Sequence, residues 1–392
     1  MVGEFSRQAG GAFMDFDCVG GWAGAEWRQR SSRGQFPCVT DDWSYGPRVT
    51  NPAGTAPVFT PCQSVGLLAL IVVIFFTSLA ATGGLLTCSL PFPLVPKIEA
   101  RYRYFAERKD DFDTLFIGSS RIRYQVIPQQ FDAETAARGA PTNSINLGYS
   151  GMWLPESYYF LRQLLALHPR HLRWVVIELM DHRSGLADRE PPTMRMVYWH
   201  DWKHAGMALR FVWESPLPIM EKGQQLAMHA RMFLQRMTNP GRGAEWLRER
   251  YMPSNNKWDS NWMNRVGFDT EAGGEWGKSR RADFTEDVEM FKKLPSRCVR
   301  PGMASALREI IDDVHRAGAE TVFVFPPSVL VEENLTGGMP QGMILWAFNK
   351  PLEYPRLYLP ELHYESGHLN EDGAREFTGL LAQRLADMAQ KR

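Results

Sequence analysis

The sequence predicts an α/β protein in which helices cover both faces of a parallel sheet, with a helical insertion and a transmembrane helix near the N-terminus. After residue 110, short apolar runs alternate with amphipathic helix patterns, which is typical of parallel strands buried on both faces. The alternation stops between residues 187 and 300. Upstream, no charged residue occurs between Arg48 and Lys97. With 392 residues, of which 44% are apolar, the chain can bury a sizeable core.

The uncharged segment predicts a membrane helix over residues 65–87. About 20 apolar residues span a bilayer, and this stretch has no polar stripe of the kind that a core helix shows. Two alternatives remain open. The small residues at 77–82 also suit a cleaved signal peptide, and Cys88 could end a lipoprotein signal.

The segments on either side of this helix show little periodicity. Residues 1–60 are rich in Gly, Arg, Trp and Pro, and we expect them to be disordered or to reflect a mis-assigned translation start. Residues 88–110 are predicted to form a linker, and the prolines in this segment make it stiff. The linker leads into a domain that spans residues 111–392.

Within that domain, four strands and three helices can be placed by their patterns. The strands are Thr114–Ile117, Ser144–Leu147, Trp174–Ile177 and Thr321–Phe325. Residues 154–167 and 303–317 place apolar side chains on one helical face, and a last helix begins at about Glu371. The Met- and Trp-rich stretch 187–300 is interpreted as a largely helical insertion, whose aromatic residues fill a secondary core or line a binding groove.

Charge and cysteine usage exclude several classes of function. The 44 basic and 44 acidic residues balance, so nothing indicates a nucleic-acid partner. The five cysteines show neither a metal-binding spacing nor a disulfide framework, and the histidines show no metal-ligand spacing. No metal site is predicted, and nothing implies a cofactor.

Polar residues follow three of the predicted strands. Ser119 and Ser120 follow the first strand, Gly148 to Gly151 the second, and Asp181 with His182 the third. Ligands of open parallel sheets bind at the carboxyl ends of the strands. We therefore expect these three loops to meet at one edge of the sheet.

Two of the motifs predict a nucleophilic serine. Gly118-Ser119-Ser120 forms a tight turn after a buried strand, and Glu365 lies three residues before His368, just ahead of a helix. A catalytic serine needs a base to take its proton and an acid to orient that base. A serine esterase or acyltransferase is the indicated class.

Other interpretations of these residues stay open. Ser120 could serve only as a helix N-cap, and Ser119 is the competing nucleophile. Glu365 could be a solvated carboxylate, with Asp181 orienting the histidine instead. Arg121 suits a surface charge as well as a substrate contact.

From about residue 111, the ordered motifs resemble the SGNH (GDSL-like) hydrolase superfamily, especially its membrane-anchored bacterial branch related to acyl modification of polysaccharides and teichoic acids. The resemblance implies a flavodoxin-like three-layer α/β/α fold. It makes Ser120 the nucleophile, His368 the base and Glu365 its orienting acid, in place of the usual aspartate. The family has several short sequence blocks, and the second of them is matched by Asn146-Leu147-Gly148-Tyr149-Ser150-Gly151. By this resemblance, the backbone N–H groups of Ser120 and Gly151 would hold the oxyanion.

The third block departs from the family pattern. Family members usually carry Gly-x-Asn-Asp there, whereas this chain has Glu178 to Arg183 without an asparagine. Losing one oxyanion donor commonly costs about 100- to 1000-fold in rate. Either Arg121 or Arg183 substitutes for that donor, or the domain is slow or inactive.

The resemblance thus implies an esterase or O-acyltransferase that acts on esters of a cell-envelope or exported polysaccharide. We expect a cytoplasmic-membrane anchor with an extracytoplasmic domain. The alternative is a catalytically inactive glycan-binding or scaffold protein of a polysaccharide-export complex. The basic residues from Lys97 to Lys109 conflict with the expected orientation, because the positive-inside rule would place the domain in the cytoplasm. A domain that faces the cytoplasm would suit a lipid esterase, which is a third alternative.

Overall fold

The computed structural model describes residues 60–89, 92, 95–179, 193–238, 247, 265–268, 278–292, 296–329 and 334–391. Its strands are β1 (Thr114–Ile117), β2 (Ser144–Asn146), β3 (Trp174–Glu178), β4 (Ser296–Cys298), β5 (Glu320–Phe325), β6 (Asn334–Gly337), β7 (Ile344–Ala347), β8 (His363–Glu365) and β9 (His368–Leu369). Five of them form a parallel sheet in the order β2-β1-β3-β5-β7. Strands β4 and β6 form a parallel pair, and β8 and β9 an antiparallel hairpin.

The helices of the described residues surround this sheet. They are α1 (Pro61–Ser89), α2 (Pro96–Arg108), α3 (Ser120–Gln125), α4 (Pro128–Ala137), α5 (Leu154–Leu165), α6 (Met194–Tyr198), α7 (Trp202–Glu214), α8 (Ile219–Thr238), α9 (Lys278–Phe291), α10 (Pro301–Arg316) and α11 (Glu371–Ala389). Short 3-10 turns lie at Pro355–Tyr358 and Pro360–Leu362.

Both faces of the sheet are buried, as the apolar strands predict. In β1, Leu115 and Ile117 join a core with residues of α2, α5 and α10, whereas Phe116 faces a second core with residues of α3, α4, α9 and α11. All five residues of β3 are buried. The α/β class with helices around a parallel sheet is therefore confirmed.

The order of the sheet fixes where a site can form. The chain goes from β1 to β2 on one side and then returns to β3 on the other side of β1. In doubly wound sheets of this kind, a crevice opens at the carboxyl ends of the two strands where the order reverses. Here that point lies between β1 and β3.

Helix α1 matches the uncharged segment. Its apolar part, Pro61–Leu85, has 25 residues with a mean hydropathy of 2.5, and none of its most apolar window is buried. By length and composition it can cross a membrane. A core helix of similar composition would be covered by the protein, so the exposure favours an anchor or a signal sequence.

Helix α2 occupies most of the segment 88–110 that the sequence suggested as a linker. Ile98 and Phe105 are fully buried in the same core as Leu115. Their spacing of seven residues places both on one face of the helix. The segment that follows α1 is thus an integral part of the α/β domain.

The insertion is largely helical where it is described. Helices α6, α7, α8 and α9 lie between residues 194 and 291. The large aromatic side chains Tyr198 and Trp199 are fully buried and extend the core that α2 and α5 share. These two side chains therefore fill one of the two main cores of the domain, and not the separate secondary core that the sequence suggested.

Candidate active site

The candidate nucleophile sits in the turn that joins β1 to α3. Ser119 precedes the helix and caps it, because its Oγ accepts a hydrogen bond of 3.2 Å from the Arg121 backbone N–H. Ser120 is the first helical residue and is partly exposed. The capping role therefore belongs to Ser119, and the Ser120 hydroxyl points elsewhere.

The Ser120 hydroxyl meets the imidazole of a residue 248 positions later in the chain. Ser120 Oγ lies 2.7 Å from His368 Nε2, and His368 Nδ1 is hydrogen-bonded to Glu365 Oε1. A proton on Nδ1 that is donated to the carboxylate leaves Nε2 as the acceptor for the serine proton. The structure brings Ser120, His368 and Glu365 together in the order that a nucleophilic serine requires.

A short hairpin positions the acid and the base. Glu365 ends β8 and is paired with His368 of β9, and Asn370 then caps α11 by accepting from the Gly373 backbone N–H at 3.0 Å. The side chain of buried Gln125, at the end of α3, donates to the Gly367 carbonyl at 3.4 Å. The helix that carries Ser120 thereby contacts the tip of the hairpin.

Two tyrosines flank the imidazole. The ring of Tyr364 stacks on His368 with a centroid distance of 5.4 Å and an interplanar angle of 8°. The ring of Tyr124 meets it edge-on at 6.0 Å. The His368 side chain keeps 18% of its surface exposed and Glu365 keeps 44%. The histidine is thus confined by its neighbours while a substrate can still reach it.

The loop after β2 lies against residues 118–120, the turn between β1 and α3 that we call the nucleophile turn. Tyr149 N–H donates to the Gly118 carbonyl at 2.8 Å, and the Cβ of any other residue at Gly148 would lie 2.6 Å from the Arg123 nitrogen. Gly151 has a φ of +69°, in the left-handed region that favours glycine. The loop after β2 therefore packs against the turn that carries Ser120, as expected.

The end of β3 contributes a buried carboxylate to the same turn. Glu178 is fully buried and accepts hydrogen bonds from the Ser119 backbone N–H, from Ser119 Oγ at 3.0 Å and from Arg121 Nε at 2.8 Å. Glu178 could not be predicted from the sequence, because a single acid at the end of an apolar strand forms no motif. The acid ties β3 to the nucleophile turn.

This carboxylate also determines the roles of two predicted residues. Arg121, considered above as a substrate contact or oxyanion donor, has only 7% of its side chain exposed and forms an ion pair with Glu178. Ser119, the competing nucleophile, is buried and bonded to the same acid. Both side chains are held within the scaffold rather than presented to a substrate.

The insertion supplies an arginine beside the loop after β2. Arg195 makes two hydrogen bonds of 3.0 Å to the buried Glu156, and its guanidinium lies 4.8 Å from the Tyr149 ring centroid. Its terminal nitrogens would be 3.6 Å from a Cβ at Gly151. Arg195 also escaped sequence reasoning, since nothing near it in the chain marks it.

Two further predicted residues, Asp181 and Arg183, lie outside the described residues, as does His182. The structure therefore describes the third loop only as far as Leu179. In the part of the chain that it describes, no group of three or more His, Cys, Asp or Glu side chains could hold a metal ion.

Comparison with known proteins identifies no family. No protein-family model matches the chain, and no curated protein is significantly similar to it. The function of this chain is therefore inferred from the geometry of the site and from the motif resemblance.

Proposed function

We propose that this chain is a serine ester hydrolase or O-acyltransferase of the SGNH type. The observation that carries the proposal is the hydrogen-bonded series from Glu365 through His368 to Ser120, built from two segments 248 residues apart. A structural role alone requires no such order of carboxylate, imidazole and hydroxyl. The doubly wound sheet and the loop around Gly151 support the same family.

The first half of the reaction forms an acyl-enzyme. Ser120 Oγ attacks the ester carbonyl carbon while His368 Nε2 takes the hydroxyl proton. Glu365 stabilises the imidazolium that results. The carbonyl oxygen becomes an oxyanion, which the backbone N–H groups of Ser120 and Gly151 hold. When the tetrahedral intermediate collapses, the carbon–oxygen bond to the alcohol breaks and His368 gives its proton to the departing oxygen.

The second half transfers the acyl group to an acceptor. His368 takes a proton from a water molecule or from a sugar hydroxyl, whose oxygen attacks the acyl-enzyme carbonyl. Collapse of this second intermediate restores the Ser120 hydroxyl with the proton from His368. Water gives hydrolysis and a sugar hydroxyl gives O-acyl transfer, so the same three residues serve either outcome.

The membrane anchor narrows the class of substrate. Helix α1 supports a single-pass anchor, and Phe92, three residues after it, is buried in the core of the domain. An active site tethered in this way acts on substrates at the membrane surface. Together with the resemblance, this favours esters of a cell-envelope or exported polysaccharide and an extracytoplasmic domain.

A fluorophosphonate probe tests the proposal directly. Wild type is expected to be labelled at Ser120 and to hydrolyse p-nitrophenyl acetate, and Ser120→Ala and His368→Ala are expected to lose both properties. Ser119→Ala is the control at the neighbouring hydroxyl: it should still be labelled at Ser120, although loss of the cap and of the bond to Glu178 costs about 2–4 kcal/mol of stability. Labelling that persists in Ser120→Ala would refute the assignment.

A second candidate function is glycan binding or scaffolding in a polysaccharide-export complex. The sequence at the end of β3, which lacks the family's oxyanion asparagine, favours it. Equal, background-level ester hydrolysis by wild type and Ser120→Ala, with no probe labelling, would support this role over catalysis.

A further inference from the structure

Helix α8 of the insertion is polar on its buried side. Its buried residues follow one another at helical spacing and are Gln225, His229, Met232 and Arg236. His229 Nδ1 is hydrogen-bonded to His200 Nε2 at 2.9 Å, and Arg236 donates to the hydroxyl of Tyr159 at 3.1 Å. A water-facing helix of a globular protein shows the opposite pattern, with its apolar stripe toward the core.

The exposed side of α8 carries an apolar row, bordered by the exposed Glu221, Gln224 and Arg231. A continuous row with spacings of three and four residues consists of Met220, Gly223, Ala227, Ala230, Leu234 and Met237. Met220 is 74% exposed and Leu234 is 61% exposed. Trp202, at the start of α7, is 82% exposed and packs edge-on against Phe233 of α8. We call this row together with Trp202 the α8 face.

The covalent structure and one ring contact place helix α8 near the end of the membrane anchor. Ser89 ends α1, and the three residues from there to Phe92 span at most about 11 Å. The ring centroids of Phe92 and Tyr159 lie 6.0 Å apart, and the Tyr159 hydroxyl accepts a hydrogen bond from Arg236 of α8. One tyrosine therefore connects the exit of the anchor to the C-terminal half of α8.

We propose that the α8 face rests in the bilayer surface as an interfacial membrane-binding helix, an inference that depends on the anchor in the proposed function. With 20 residues, the helix presents about 30 Å of apolar surface when it lies flat. Trp202 is a residue type that favours the headgroup region, and Arg231, exposed beside the row, suits anionic lipid headgroups. Burying the polar side of the helix in protein leaves the apolar side for lipid.

Fluorescence of an NBD label on single cysteines in the full-length protein tests this arrangement. The protein is reconstituted in phosphatidylglycerol–phosphatidylethanolamine liposomes with doxyl-labelled lipid as quencher. Leu234→Cys probes the α8 face, Val73→Cys probes the anchor, and Leu352→Cys is the matched control, a leucine 72% exposed elsewhere on the domain. The native cysteines to be replaced by serine are Cys18, Cys38, Cys62, Cys88 and Cys298.

We expect a blue-shifted emission and a loss of fluorescence to doxyl lipid at positions 73 and 234, and neither effect at position 352. If the label at position 234 behaves like that at position 352 while position 73 is quenched, the anchor stands and the α8 proposal fails. A blue shift at position 234 without lipid quenching, together with disulfide crosslinks between copies, would assign the face to a second copy instead. No quenching at position 73 would refute the anchor and the proposal with it.

Discussion

The two serines of the nucleophile turn divide two tasks that a single serine could not perform together. The Ser119 hydroxyl caps α3 and donates a hydrogen bond to Glu178, and these two bonds fix the direction of the turn. Ser120 therefore needs no structural bond, and its hydroxyl meets His368 Nε2. A hydroxyl that also capped the helix would be held away from the imidazole.

Replacing Glu365 by glutamine should test how far Glu365 orients and stabilises His368, because the Ser120 hydroxyl itself is left unchanged. The amide keeps the shape of the side chain but carries no charge to stabilise the imidazolium, and it can present a donor to Nδ1 and so favour the wrong tautomer. We expect kcat to fall by about 10²- to 10⁴-fold with little change in KM. Glu361→Gln, at an exposed glutamate four residues earlier, is the control in p-nitrophenyl acetate assays. Equal activities of the two variants would exclude Glu365 from the mechanism.

Glu178→Gln is expected to act on stability more than on chemistry. Removing the carboxylate leaves the buried Arg121 guanidinium without its counter-charge, a change that typically costs about 3–5 kcal/mol. Glu371→Gln breaks the exposed Arg375–Glu371 pair and should cost less than about 1 kcal/mol. Urea unfolding of both variants in detergent measures the difference. A Glu178→Gln protein as stable as Glu371→Gln would contradict the structural role.

At the scale of elements, the loop after β2 has to lie within a few ångströms of α3. Gly148→Ala would put a methyl group 2.6 Å from the Arg123 nitrogen and 3.0 Å from the Ser119 carbonyl oxygen. Since both are backbone atoms, the loop must move, and we expect a loss of about 1–3 kcal/mol in stability together with lower kcat/KM.

Gly139→Ala is the matched control for this loop. Gly139 has a positive φ of +77°, unlike Gly148, and nothing lies within 4 Å of the added Cβ, so this variant shows the effect of backbone strain without a clash. Thermal unfolding and ester hydrolysis of both variants provide the test. A Gly148→Ala enzyme with wild-type kcat/KM would show that the loop can shift without disturbing the site.

Most of the sheet could be predicted because its strands are short apolar runs, and β1, β2 and β5 are followed within two residues by glycine or proline. Strands β1, β2, β3 and β5 lie within one or two residues of their predicted bounds. Strand β7 was missed because Ile344–Ala347 follows a Gly- and Pro-rich stretch without a helix, so it lacks the alternation that marked the others. The polarity of α8 could not be deduced either, since only the fold reveals which side is covered.

The site could be predicted where chemistry leaves a local signature and not where it depends on contacts. Ser120, His368 and Glu365 were found because a turn after a strand and an acid–x–x–His spacing are visible in sequence. Glu178 and Arg195 act through partners 57 to 59 and 39 residues away, respectively, so no local pattern encodes them. Whether Gly151 donates to an oxyanion stays a prediction.

At the scale of the whole molecule, the two cores hold different segments that matter for the proposed activity. The core with α3 and α11 holds the serine and histidine segments, whereas the core with α2, α5 and α6 contains Phe92, three residues after α1. The five-stranded sheet separates them.

Buried histidines in both cores predict that the whole domain loses stability in acid. Burial lowers the pKa of His200 to about 2 and that of His363 to about 4, from an ordinary value of 6.5. Below pH 6.5 the unfolded chain binds protons that the folded chain excludes, so stability falls as pH decreases. Each such histidine contributes up to about 1.4 kcal/mol per pH unit until its folded pKa is reached.

Thermal unfolding midpoints measured between pH 7.5 and 4.5 test this dependence. The wild-type midpoint should fall steadily below pH 6.5, and His363→Gln should fall less steeply from a lower starting value, because glutamine can still donate to the Leu357 carbonyl but cannot titrate. His315→Gln, at an exposed histidine, should keep the wild-type slope. If His363→Gln and wild type lose stability in parallel, His363 is not excluded from protonation in the folded domain, and the acid sensitivity has its origin elsewhere.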